Sequence, residues 1–332
     1  MPGVNNVDQT ARNSLPYMLV PINCSRGFVA ESRRGWYRER SLLRIHMIAS
    51  RLPTPLVSVA WLAEHLDDSR LRIVDASWYL PTMGRNGRNE YHIGHISGAL
   101  FGDLEMLADD DAPYPHTLPA PDVLASRLGS LGIGSEHWVV VYDGSGQNFS
   151  APRLWWMLRT MGHAQVAVLD GGLPAWRRAG HAVTTDVPTF APASFSADFD
   201  ASRWRDLDAM RATVSSGSEQ VVDARSAGRF TGTEAEPRAG VRGGHMPGAR
   251  NVHYARLVDA NGMMKSPEEL RGLFADAGVN VAAPIAASCG TGITACAVLL
   301  GLDVVGAQRT ALYDGSWTEW GSQPDTPVEK DA

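Results

Sequence analysis

The sequence is short of cysteine, of basic charge and of long apolar runs, and each shortage excludes something. Three cysteines stand in 332 residues: Cys24, Cys289 and Cys296. They form no CxxC pair and no Cys/His cluster at zinc spacing, which argues against a structural metal. Their low, odd count argues against a disulfide framework and for a reducing compartment. Acidic residues outnumber basic ones, 36 to 30, for a net charge of −6, the reverse of what a general nucleic-acid binder requires. No apolar run approaches the roughly 20 residues of a membrane-spanning helix, because Pro, Gly or charge interrupts each one. What is present, 44% hydrophobic and 20% charged residues, is a globular composition with length for two domains and two cores.

Residues 1–52 differ from the rest. They carry eight Arg, no Lys and three acids, with no sustained helical or strand period. Such a segment reads as a disordered extension, or as a start placed upstream of Met47. The alternative is an Arg-rich organelle transit peptide. The expected location is therefore the cytoplasm, or the mitochondrion if the leader is a transit signal.

From residue 53 strands and helices alternate. Val57–Leu66, Pro121–Leu131 and Ala151–Met161 have helical patterns, while Arg72–Ala76, Trp138–Tyr142 and Val166–Leu169 are apolar runs of strand length. That alternation predicts a parallel sheet with helices on both faces. Between 181 and 205 it lapses into Ala/Pro/Thr/Ser/Phe-rich sequence, read as a linker.

The second half then repeats the first. Asp75 corresponds to Asp223, Gly94-His95 to Gly244-His245, Pro121 to Pro267 and Asp170 to Asp314, at separations of 148, 150, 146 and 144 residues. Four blocks in one order at nearly one spacing mark a duplicated domain. The expected organisation is an α/β protein of two tandem domains, 53–180 and 206–325, joined by 181–205. His95 and His245 recur in both copies, which assigns them to the fold.

The duplication exposes one asymmetry. Val139-Val140-Val141-Tyr142 leads into Asp143, while Ile285-Ala286-Ala287-Ser288 leads into Cys289. One copy keeps a sulfur nucleophile and the other has become a scaffold. After Cys289 come Gly290, Thr291, Gly292, Ile293 and Thr294, then a helix. Glycines let the backbone turn its N–H groups toward the sulfur, and the helix start adds positive potential; both favour a thiolate or a persulfide anion. Cys296, seven residues on and among apolar neighbours, reads as core.

The loop Cys289-Gly290-Thr291-Gly292-Ile293-Thr294-Ala295 resembles that of the 3-mercaptopyruvate sulfurtransferases, in the two-domain rhodanese superfamily. Asp75-Ala76-Ser77-Trp78-Tyr79-Leu80-Pro81, Ser150-Ala151-Pro152-Arg153, Gly228-Arg229-Phe230, Glu234-Ala235-Glu236-Pro237-Arg238 and Tyr313-Asp314-Gly315-Ser316-Trp317 extend the resemblance over about residues 55–321. It implies that Arg229 and Arg238 grip the donor's carboxylate, for which a planar guanidinium fork is suited. It also implies that His116 assists the Thr291 hydroxyl. The acidic partner of that histidine is usually Asp in the family, and here alignment puts Glu105 in its place.

The activity so implied is sulfur transfer from 3-mercaptopyruvate through a Cys289 persulfide to a thiol such as thioredoxin, or to cyanide, by covalent ping-pong catalysis. The expected partners are a small-molecule sulfur donor and a thiol acceptor, with no nucleic acid or membrane, for a monomer or weak dimer. No metal or organic cofactor is implied. Two alternatives stay open: a thiosulfate sulfurtransferase, against which the neutral Gly290-Thr291 pair weighs, and a non-enzymatic persulfide carrier or docking module. A phosphatase built on a similar Cys loop would need Arg where Ala295 stands.

Overall fold

The computed structural model describes residues 52–331, so the expectations about residues 1–51, Cys24 included, lie outside the described residues. The first half holds strands β1 (Leu56–Val57), β2 (Leu71–Asp75), β3 (Ala99–Phe101), β4 (Trp138–Tyr142) and β5 (Val166–Leu169). Its helices are α1 (Val59–His65), α2 (Gly87–Ile93), α3 (Pro121–Ser130), α4 (Ala151–Thr160) and α5 (Gly172–Arg178). The second half holds β6 (Trp204–Arg205), β7 (Gln220–Asp223), β8 (Arg250–Asn251), β9 (Ile285–Ser288) and β10 (Thr310–Tyr313). Its helices are α6 (Leu207–Ser216), α7 (Ala227–Thr231), α8 (Pro267–Asp276), α9 (Thr294–Val304) and α10 (Ser316–Trp320).

Each half is one parallel five-stranded sheet, in the order β1-β5-β4-β2-β3 and again β6-β10-β9-β7-β8. The identical order carries the duplication from sequence into topology. The apolar run of β4 has no polar alternation because both its faces are covered. Val139 and Val141 join the core that spans the two halves, while Trp138, Val140 and Tyr142 join a second core with Leu62 of α1 and Trp176 of α5. In the second half Ile285 and Ala287 face the shared core, and Ala286 faces Met210, Trp317 and Trp320.

Helices α4 and α9 lie in the shared core, where α9 is buried from Thr294 through Leu302. A helix apolar all round belongs in such a place. Cys296 is one of its fully buried residues, and burial pushes its thiol well above the usual range.

The paired histidines have the same job twice. His95 Nδ1 lies 2.8 Å from the Tyr91 carbonyl and its ring stacks on Tyr91; His245 Nδ1 lies 2.9 Å from the Phe230 carbonyl and stacks on Phe230. Each histidine also closes one antiparallel bridge, to Thr184 and to Glu329.

The structure differs from the sequence reading at the short edges. Leu56–Val57 is a strand, and the helix runs over Val59–His65. Trp204–Arg205, inside the segment read as a linker, is the edge strand of the second sheet. The Glu329 bridge carries the second half past residue 325. Strands of two or three residues are too short to leave a period-2 pattern. The stretch before β6 runs along the first half, with Ala193 N–H on Gly129 O, Asp198 N–H on Met161 O and Phe190 under the Arg72 guanidinium.

One buried ion pair crosses between the halves. Arg153 Nη1 of α4 meets Asp314 Oδ1 at 2.8 Å, with both side chains 2% exposed. Asp314 Oδ2 accepts the Leu118 N–H at 2.6 Å, and Arg153 also donates to the His116 carbonyl. Replacing Arg153 with Met would strand a buried carboxylate. We expect a loss of about 3–5 kcal/mol in denaturant unfolding, with the Arg153→Met/Asp314→Asn pair costing less than the sum of its single changes.

Candidate active site

In a parallel sheet, ligand-binding crevices form outside the carboxyl ends of the strands, where the strand order reverses. Here β7 connects outward to β8 on one side, and the chain then crosses to β9 and β10 on the other. Between the ends of β7 and β9 lies a pocket of about 370 Å³. Cys289 follows β9, Arg225 and Arg229 follow β7, and His253 and Tyr254 follow β8; all five line the pocket. Arg238, Gly290, Thr291, Ile293 and Thr294 line it too, and Trp78, Leu80 and Pro81 close it from the first half.

Cys289 is 1% exposed. Its Sγ accepts the Gly292 N–H at 3.2 Å, and its own N–H donates to Ser316 Oγ at 3.1 Å. The sequence led us to expect several loop N–H groups on this sulfur; among the described residues one makes that bond. The turn needs a glycine at 292, where φ is +80° and a Cβ would come within 2.9 Å of the Asp314 carbonyl. Cys296 touches the same residue from behind, its Sγ donating to the Gly292 carbonyl.

The equivalent loop of the first half explains how Asp143 replaced a sulfur. Its carboxylate accepts the N–H groups of Ser145, Ser150 and Ala151, the last two at the start of α4. A loop that gathers N–H groups around an anion has kept that property, with a fixed carboxylate as the anion. The backbone frame also persists: Leu173 N–H bonds Asp143 O at 3.0 Å, and Trp317 N–H bonds Cys289 O at 2.9 Å.

His116 arrives from the first half. Its Nδ1 lies 2.8 Å from Thr291 Oγ1 and its Nε2 lies 2.9 Å from Glu105 Oε1. Trp78 Nε1 donates to the same Glu105 oxygen at 2.8 Å, and its ring meets the imidazole edge-on at 4.9 Å. For a neutral ring, this network selects the tautomer. The hydrogen bond from His116 holds the Glu105 carboxyl below the usual range, so it is an ionised acceptor. Nε2 then carries the proton, and Nδ1 accepts from the Thr291 hydroxyl. Glu105, one methylene longer than Asp, reaches the ring.

The arginines are held unequally. Arg229 forms a fork on Glu236, with Nη2 to Oε2 at 2.6 Å, and Arg225 shares that carboxylate at 2.7 Å. Arg229 also reaches over the loop, since a Cβ at Gly290 would lie 3.1 Å from its Nη2. Arg238 makes no hydrogen bond to a described residue.

A family profile described as a rhodanese-like domain matches residues 58–179 and 206–323. This chain belongs to the rhodanese family. The rhodanese is 43% identical over 279 residues to human 3-mercaptopyruvate sulfurtransferase, covering 82% of this chain and 94% of that protein. It is 41% identical over 292 residues to a thiosulfate sulfurtransferase of Cricetulus griseus, covering 86% and 98%. The crystal structure of SseA, a 3-mercaptopyruvate sulfurtransferase of Escherichia coli, matches with a TM-score of 0.73 at 39% identity, covering 80% of this chain and 99% of that one.

The pocket thus gathers Cys289, Gly290, Thr291, Ile293, Thr294, Arg229 and Arg238, while Gly292 lies beneath the loop and the Glu105–His116 pair stands behind Thr291. Sequence reasoning missed Arg153, Asp314, Glu236, Trp78 and His253. The first four lie in blocks that it quoted without a role; His253 left no signal. The network predicts that the Glu105 carboxyl, followed by carbon NMR, titrates below the ordinary glutamate range. In His116→Asn the midpoint should move up; an unchanged midpoint would mean that the bond is absent in solution.

Proposed function

We propose that this sulfurtransferase takes sulfur from 3-mercaptopyruvate on Cys289 as a persulfide and passes it to a thiol such as thioredoxin. The observation that carries the reading is a thiol on the floor of a pocket whose wall holds three arginines, of which Arg229 and Arg238 are the less tightly tied, and whose loop is neutral at Gly290 and Thr291. A thiol beside a carboxylate clamp suits a donor that is a small carboxylate. A dianion such as thiosulfate would gain from charge on the loop itself.

The proton follows the relay. Thr291 passes the Cys289 proton to His116, whose imidazolium is stabilised by Glu105. The thiolate attacks the donor sulfur, an S–S bond forms and the C3–S bond breaks. Its electron pair enters the enolate of pyruvate, and the proton on His116 returns to C3. The donor's own thiol proton stays on the outer sulfur, near the Gly292 N–H. An acceptor thiol then takes that sulfur and restores Cys289. The first half serves as a non-catalytic scaffold that lends His116. The chain works as a monomer or weak dimer, and a persulfide carrier suits a reducing compartment such as the cytoplasm.

Thiosulfate remains the second reading because the hamster relative named for it is nearly as similar. Competition between the two donors, with pyruvate and sulfide both followed, decides between them. Cys289→Ser should abolish transfer without unfolding the protein, and mass spectrometry should find one extra sulfur on the wild type alone. A persulfide on Cys296 would sink the assignment. Arg229→Leu or Arg238→Leu should each weaken use of mercaptopyruvate about 10- to 100-fold, mostly in KM, as expected for one charged hydrogen bond. Alkylation of Cys289 by iodoacetamide should change little in either variant. If both rates fell together, the arginines would be tuning the sulfur instead of holding the donor.

A further inference from the structure

Among the titratable side chains of the pocket, His253 has no part in the chemistry above. His253 follows β8 and precedes the 3-10 turn Tyr254–Leu257. Its position is fixed from both sides. Val252 N–H bonds Asp223 O at 2.9 Å, and Arg256 N–H bonds the His253 carbonyl at 2.9 Å. Asn251 Nδ2 ties the end of β8 to the carbonyls of Asp223 and Arg225. The imidazole is half-buried, edge-on to the Tyr254 ring at 4.7 Å, and lines the pocket with Cys289, Arg229 and Arg238. No described residue engages either ring nitrogen.

Its charged surroundings are Arg256 and Arg229, with Glu234 opposing them. Burial, and then Arg256, hold its imidazolium below the usual histidine range. At neutral pH the ring is therefore neutral, with one N–H to offer. The hydroxyl proton of Thr291 is already directed to His116, and Arg229 already shares Glu236. A donor held by its carboxylate at the arginines carries its ketone on the next carbon, inside a pocket whose wall includes His253.

We propose that His253 donates a hydrogen bond to the keto oxygen of the sulfur donor, and that this contact makes the pocket select α-keto thiols. The inference rests on the mercaptopyruvate reading and deepens it. When the C3–S bond breaks, its electron pair becomes the C2–C3 π bond and negative charge moves onto the C2 oxygen. A fixed N–H at that oxygen is stronger in the transition state than in the ground state, so it acts on the rate. A neutral imidazole suits the task, since it can donate without handing over its proton. The proton that completes pyruvate still reaches C3 from His116.

The test compares donors that have a ketone with one that has none. In His253→Phe, kcat/KM for mercaptopyruvate should fall about 10- to 100-fold, somewhat less than the roughly 100- to 1000-fold that losing one oxyanion donor costs in a closed site. Thiosulfate-dependent transfer and iodoacetamide alkylation of Cys289 should stay within about twofold, because neither reagent carries a ketone. His253→Gln, which keeps an N–H, should recover most of the loss. An equal fall with both donors, or no fall with mercaptopyruvate, would overturn the inference. A wild-type protein that does not use mercaptopyruvate would instead fail the donor reading itself, before any variant is made.

Discussion

The buried pair of Arg153 and Asp314 is the constraint on which the site depends. Arg153 belongs to α4 of the first half and Asp314 follows β10 of the second, and neither charge is open to water. A buried charge is tolerable only with its partner in place and its remaining hydrogen bonds made. Those remaining bonds go to the His116 carbonyl and the Leu118 N–H, on either side of the loop that delivers the imidazole. The same pair that ties the halves together thus sets the height of His116 over Thr291. Gly292, whose peptide holds the sulfur, packs against the same two residues.

The duplication looks different in that light. Two copies of one fold pack α4 against α9, and the loop ahead of each helix turns backbone N–H groups inward, three onto the Asp143 carboxylate and one, from Gly292, onto the Cys289 sulfur. In the first copy a carboxylate fills the place permanently. In the second a sulfur does, with space before it for a donor. The outer loops of the first copy serve the second copy's site: Trp78 and Leu80 line its pocket, and Glu105 and His116 stand behind Thr291.

The division of labour among cations also follows from burial. Arg225 is sealed between Asp223 and Glu236 and over the Trp317 ring, so it organises the wall. Arg229 shares Glu236 yet faces the pocket, and Arg238 makes no bond with a described residue. The series runs from structural to available charge within fourteen residues of chain.

Sequence alone determined the duplication, the parallel α/β class, and the cysteine at the strand-to-helix loop that the pocket encloses. These are local facts: strand-length apolar runs, a Gly-flanked Cys before a helix, and repeated blocks are written in neighbouring residues. It also singled out Arg229, Arg238 and Thr291, which line the pocket, through their place in resembling motifs. It reached His116 and Glu105 only through the resemblance, and it gave His253 and the Arg153–Asp314 pair no role. Each of those depends on contact across distances of chain that no periodicity encodes: His116 meets Thr291 across 175 residues and Arg153 meets Asp314 across 161. The two-residue edge strands escaped for a related reason, since only pairing with β5, β10 or β7 makes them strands. Only the packed tertiary structure could decide these, because a hydrogen bond in a buried site is fixed by which surfaces close on each other.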